Sequence, residues 1–115
     1  MGIVNTATDK NQKCIDACNR CAQACMECMK MCLDESDVSA RKKCIAKLHE
    51  CACICKEASS FMSMDACHAT DLCKLCETIC NECAQECGMF KDDHCQKCAA
   101  ECQSCANECK TMSGM

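Results

Sequence analysis

Proline is absent from this chain of 115 residues, glycine occurs only at Gly2, Gly88 and Gly114, and tryptophan and tyrosine are missing. Without helix breakers or tight-loop residues, long uninterrupted helices are expected, and the composition argues against a knotted, loop-rich disulfide domain. Leu, Ile, Val and Phe together supply only 13 residues, so an ordinary apolar core is thin. No basic cluster stands out and the formal net charge is −4, which leaves nucleic acid without an electrostatic footprint. No apolar run is long enough for a membrane, and residues 1–13 lack the apolar stretch of a secretory signal. A cytoplasmic location with reduced thiols is the expectation. The opening Met1, Gly2 and Thr6 match a myristoylation pattern, but so short a match is weak.

What the chain has in abundance is cysteine, 21 residues of it. One string, C-x2-C-x3-C-x2-C-x3-C, occurs at Cys18 to Cys32, at Cys73 to Cys87 and at Cys95 to Cys109. Alternating steps of three and four follow the pitch of an α-helix and draw one continuous thiol stripe along each segment.

Four helices follow from this phase, at about residues 9–33, 38–61, 66–87 and 94–112. The first carries Cys14, Cys18, Cys21, Cys25, Cys28 and Cys32; the second carries Cys44, Cys51 and Cys55, with Leu48, Ala58 and Met62 in the same phase. Cys73, Cys76, Cys80, Cys83 and Cys87 line the third, and Cys95, Cys98, Cys102, Cys105 and Cys109 the fourth. Asp37 or Ser39 is suited to start the second helix, Asp92 or Asp93 the fourth, and Gly88 to cap the end of the third. Short turns between such helices make an all-α, antiparallel up-down-up-down four-helix bundle, a single metal-binding domain over 1–115 with a cysteine-lined core. Cys53 and Cys67 fall off the stripes. Cys53 should face outward, whereas a fraying helix start leaves Cys67 open to either side.

Cysteines four apart on a helix have Cβ atoms about 5 to 6 Å apart, and two metal–sulfur bonds of roughly 2.3 Å span about 4.6 Å. One helix can therefore supply both ligands of a near-linear site, which suits Cu(I). Soft thiolate selects a soft ion, and a monovalent ion neutralises buried thiolates almost one for one without demanding four sulfurs per site. Nineteen cysteines in register are too many to be stand-ins for Ala or Leu, because such a core would lack the larger side chains that fill space.

The pattern resembles the bacterial cytosolic copper storage proteins over nearly the whole chain. Cys51-Ala52-Cys53-Ile54-Cys55 followed by Ala58 is similar to that family's C-A-x-I-C segment. Leu72-Cys73-Lys74-Leu75-Cys76 with Cys80, and His94-Cys95-Gln96-Lys97-Cys98, resemble the openings of its third and fourth helices. The resemblance implies a bundle storing many Cu(I) ions on the nineteen stripe cysteines, assembled as a homotetramer, for buffering, supply or detoxification. Copper donor or acceptor proteins are the implied partners.

Antiparallel packing gathers Cys14, Met62, Met64, Cys67, His68, Cys109 and Met112 at one end, the expected place of metal entry, because thioethers and imidazole would exchange copper more freely than thiolates. Plugging by Met is the equal alternative there. His94, at the opposite end with Met89 and Phe90, is a candidate extra ligand or a solvated cap residue. His49 reads as a surface group on the flank of the second helix, Met26 and Met29 as an apolar pair for subunit packing, and Glu82, Glu86, Lys97 and Glu101 as a solvated face. Two rivals to copper remain: iron–sulfur clusters, although the C-x2-C-x2-C-x3-C run is absent, and Zn or Cd thiolate binding, although such sites favour loops and several thiolates per ion. No catalytic constellation is evident, so the chain reads as a binder rather than an enzyme.

Overall fold

The structure, a computed structural model, describes residues 2–114, so Met1 of the acylation pattern lies outside the described residues. A 3-10 helix, Thr6–Asn11, leads into α1 (Gln12–Leu33); a second, Val38–Arg41, leads into α2 (Lys42–Ser63); α3 (Ala69–Gly88) and α4 (Asp93–Ser113) follow. Asn5 caps the first turn by accepting from the Ala7 N–H at 2.9 Å. Each α-helix packs on the two that precede or follow it around the ring, giving an antiparallel bundle 47 × 24 × 18 Å in extent.

The thiol stripe dictates this arrangement. All nineteen stripe cysteines are buried, and among them the largest fully buried side chains are Leu48 and Met62 on α2. Each of these two contributes about 1.5 to 3 kcal/mol of apolar burial, so α2, the helix poorest in cysteine, supplies the bulk that the small thiols do not.

The ends of the helices depart from the expected ones in instructive ways. The third begins at Ala69 rather than near Ala66, because the chain reverses through Asp65, whose φ of 50° is a left-handed conformation that aspartate tolerates better than most residues. Gly88 does not cap α3: it is the helix's last residue, and Met89, right-handed, takes the cap position. Asp37 and Asp92 do stand at helix starts, yet neither side chain caps its helix. Both reach Arg41 instead, Asp37 accepting from Nε at 2.7 Å and Asp92 from Nη1 at 2.5 Å.

The expected solvated face is also partly corrected. Glu86 is buried and meets Lys43 at 3.7 Å, while Glu82 bridges helices to Lys47 at 3.1 Å. Lys97 pairs with Asp93, and Glu101 crosses to Arg20 at 2.9 Å. Glu82, Glu86 and Glu101 thus find their partners on the facing helix, while Lys97 pairs within α4.

Candidate metal centre

Two facts about cysteine set the character of the interior: its side chain is short, and its sulfur is a ligand once the proton leaves. In this bundle no disulfide consumes any of the thiols. Sulfur instead meets sulfur in an unbroken series. From Cys14 the contacts run to Cys109 at 3.8 Å, to Cys18 at 3.8 Å, to Cys105 at 3.6 Å and to Cys55 at 3.9 Å. They continue through Cys80 at 3.7 Å to Cys51 at 3.7 Å, Cys21 at 3.9 Å, Cys102 at 3.7 Å and Cys25 at 3.7 Å.

Most of these contacts join different helices, which refines the expectation of single-helix ligand pairs. Cys28/Cys32 at 4.0 Å and Cys76/Cys80 at 3.8 Å are close four-residue pairs within one helix. Three sulfurs around one ion at roughly 2.3 Å stand about 4.0 Å apart, whereas a linear pair needs about 4.6 Å. The observed separations therefore fit trigonal or bent sites. Several groups have all their sulfurs within 4.8 Å of one another, among them Cys18/Cys76/Cys105/Cys109, Cys21/Cys25/Cys51/Cys102 and Cys14/Cys73/Cys109.

The end where α4 begins adds other chemistry. Cys28, Cys32, Cys95 and His94 form one group, with His94 Nδ1 at 3.5 Å from Cys28 Sγ and 3.6 Å from Cys95 Sγ. Glu35 faces the other ring nitrogen, Nε2, at 3.3 Å. A carboxylate accepting from Nε2–H leaves the Nδ1 lone pair aimed at the thiols, the usual way a second-layer partner orients a metal-binding histidine. With a side chain only 12% exposed, His94 belongs to the core end and is no solvated cap residue. A groove of about 640 Å³ between α1 and α4, lined by Cys28, His94 and Cys98 among others, brings solvent to this cluster.

Arg41 covers the same end. Its guanidinium lies 3.7 Å from Cys32 Sγ and 3.6 Å from Cys95 Sγ, and 4.7 Å from the centroid of the Phe90 ring. Asp92, then Asp37, hold the guanidinium charged, and Arg41 in turn keeps the Asp92 carboxyl below the usual carboxylate range. Sequence reasoning missed Arg41 and, at the other end, the fully buried Asn11. A signal existed: each sits three residues before the first stripe cysteine of its helix, Cys44 or Cys14, and so continues the same stripe.

The opposite end gathers only part of the expected set. Cys14, Cys73 and Cys109 stand together there, and Met62 is fully buried beside Asn11, whose Nδ2 donates to the Met62 carbonyl at 3.1 Å. Met112 is half-buried against the core. Met64 and Cys67 are exposed, and so is His68, which pairs with Asp71 at 3.3 Å. They stand apart from the thiol cluster because α3 starts later than the spacing suggests, leaving Cys67 and His68 in the turn and out of helical phase. Cys53 faces solvent as expected.

Protonation follows from sharing in a dry interior. Burial pushes the Cys95 thiol up to about 12, reinforced by charge on Cys32. Cys44 is held below its ordinary range because Cys87 donates an S–H to it, at a sulfur separation of 3.7 Å. A soft cation replacing these protons would relieve both burial and sharing at once.

The profile of the copper storage protein family matches residues 7–114. The uncharacterized cysteine-rich protein YhjQ of Bacillus subtilis is 41% identical over 89 residues, covering 77% of this chain and 82% of that protein. The Cu(I)-bound copper storage protein BsCsp3 superposes with a TM-score of 0.87 at 41% identity, over 90% of this chain and 97% of that one. A cytosolic copper storage protein from Streptomyces lividans, caught in copper loading with five coppers, gives a TM-score of 0.90 at 31% identity, over 94% of this chain and 95% of that one. A profile spanning nearly the whole chain, on a bundle that superposes on two copper storage proteins at 31% and 41% identity, has one meaning: this protein belongs to the copper storage protein family.

Proposed function

We propose that this chain, as one domain over 1–115, stores multiple Cu(I) ions along its interior, with the nineteen stripe cysteines as ligands and His94 as an added ligand at one end. The observation that carries the reading is the unbroken series of buried, unpaired thiols at separations suited to trigonal or bent Cu(I). Membership of the copper storage family supports it. So does charge: a monovalent ion per thiolate leaves the dry core neutral. The cytosol is the proposed compartment, in keeping with thiols that must stay reduced and with the cytosolic relative. A homotetramer and exchange with copper donor or acceptor proteins complete the proposal, and no catalytic role is assigned.

Copper is proposed to enter at the His94 end, because the groove between α1 and α4 reaches Cys28, His94 and Cys98 there. At the other end Met62 is sealed inside, while Met64, Cys67 and His68 stand on the surface and Met112 is half-buried.

Anaerobic titration of the reduced protein with Cu(I), against a strong chelator and followed by metal analysis, tests the function. Storage requires saturation at about six or more ions per chain, since Cu(I) accepts as few as two or three thiolates each and sulfurs shared between ions raise the number further. Saturation at one or two ions would refute it. Zinc, at four thiolates per ion, would stop near about four or five, and iron with sulfide in the purified protein would favour clusters instead.

A further inference from the structure

Nothing in the storage reading uses Cys53, yet it is not alone on the surface. On the outer face of α2 its Sγ lies 3.8 Å from Nε2 of His49, one helical turn away. The two line a groove of about 320 Å³ between α1 and α2. Met26 and Met29, from α1, line the same groove. Thiol, imidazole and two thioethers are the soft and borderline donors that select Cu(I) over harder ions.

Metal–sulfur and metal–nitrogen bonds of roughly 2.3 and 2.0 to 2.1 Å, closed on a 3.8 Å separation, subtend an angle of about 120° at the ion. That is a trigonal angle, and it leaves one coordination position free. The groove presents Met26 and Met29 to fill it. At present the Lys56 ammonium donates to Met26 Sδ at 3.6 Å, so a bound ion would take over a sulfur now held by a weak contact. Lys56 also biases the charge of the ion: Cu(I) on one thiolate is a neutral unit, whereas Zn(II) would add positive charge beside its ammonium group, Lys30 being already paired with Asp34 at 2.8 Å. Because His49 and Cys53 are fixed on one rigid turn, little ordering remains to oppose binding.

We propose that His49 and Cys53, completed by the thioether of Met26 or Met29, form an outer Cu(I) site of one ion per chain, separate from the core. Binding breaks the Cys53 S–H bond, forms the S–Cu bond and releases the proton to solvent, with no change of oxidation state. The site shares no ligand with the interior and does not rest on the storage reading.

Cys67 supplies an internal control, being the other exposed thiol, with its neighbour His68 engaged by Asp71. The full-length protein is loaded anaerobically with Cu(I) at a free concentration set by a chelator, then treated briefly with iodoacetamide, and each cysteine is read by peptide mass spectrometry. Copper should slow alkylation of Cys53 by about tenfold or more, since the bound thiolate is no longer a free nucleophile, and leave Cys67 unchanged. His49→Ala should restore the Cys53 rate, and Cys53→Ser should abolish the copper-induced shift of the His49 ring proton in NMR spectra. Equal protection of Cys53 and Cys67, no protection, or protection that survives His49→Ala would overturn the proposal. Both variants keep all nineteen core thiols, so the total copper content of the same samples judges storage separately.

Discussion

At one end of the bundle Asn11 and Met62 close over Cys14, Cys73 and Cys109 with neutral side chains, and the Asn11 Oδ1 has no hydrogen-bond partner. At the other, Cys28, Cys32 and Cys95 lie under Arg41, with Asp37, Asp92, Glu35 and His94 arranged around them. One end is plugged by bulk, the other by charge. The difference teaches that what covers a thiol core is set by the residue one helical step beyond its last cysteine. A buried amide covers the first end without charge. A guanidinium held by carboxylates covers the thiols at the other end, and a histidine stands beside it on the groove between α1 and α4.

Arg41→Ala tests that contrast most severely. The side chain is buried and makes charge-assisted hydrogen bonds to Asp37 and Asp92, so its loss should cost the apo protein about 2 to 3 kcal/mol in urea unfolding. The same variant uncovers Cys32 and Cys95 and should load copper faster than the parent. Slower loading would mean that Arg41 guides copper in rather than covering the core.

His94→Ala comes next. Removing the proposed nitrogen ligand of the Cys28/Cys32/Cys95 group should slow Cu(I) uptake from a chelator by about tenfold, the lower range seen when a site loses an orienting group. Replacing Met62, Met64, His68 and Met112 together by Ala at the other end should change uptake by less than about twofold. Stopped-flow absorbance at copper–thiolate wavelengths reads both. If the second set slows uptake more than His94→Ala, copper uses the Asn11 end and the comparison inverts.

How much of this contrast the sequence carried depends on which residues are asked about. The stripe positions were legible because burial of a helix face obeys one period, and every stripe cysteine is buried where the period puts it. Cys53, half a turn off that period, is exposed for the same reason. Arg41 and Asn11 continue the period, but a charge and an amide do not register as core residues until their partners are in place. Those partners, Asp92 for Arg41 and the Met62 carbonyl for Asn11, lie 51 residues away in chain for each. The late start of α3, which strands Cys67 and His68 outside, turns on the left-handed Asp65, a conformation that aspartate permits without demanding.

Acidity tests what the two ends share. Burial pushes Cys95 up to about 12, so at neutral pH its proton is present and must leave when Cu(I) binds. Raising the pH favours the product, and affinity at this end should rise by about tenfold per unit for each proton displaced, levelling only near Cys95's own pKa. The Asn11 end should show a similar slope: in its Cys14/Cys73/Cys109 group the hydrogen bond with Cys109 favours the Cys73 thiolate, but the one with Cys14 together with burial outweighs it and pushes Cys73 up to about 12 as well. Chelator competition across pH 6 to about 9, with Cys95→Ala as the comparison, checks the sign. An affinity that falls with rising pH would contradict proton displacement altogether.

The smallest effect should come from Asn11→Leu. Asn11 makes one buried hydrogen bond through Nδ2 at 3.1 Å and leaves Oδ1 unpartnered. A net hydrogen bond is worth about 0.5 to 1.5 kcal/mol, while a buried acceptor without a partner costs about 1 to 3 kcal/mol. The Met62 carbonyl is not orphaned by the change, because the Asp65 N–H donates to it at 3.1 Å. Leucine is close to asparagine in size and adds apolar burial, so the terms oppose and stability should move by less than about 1 kcal/mol. Copper uptake should be unchanged. Should Asn11→Leu instead destabilise the protein as much as Arg41→Ala does, the amide would be a structural polar anchor equal to the guanidinium, and the distinction between a plugged end and a charged one would fail.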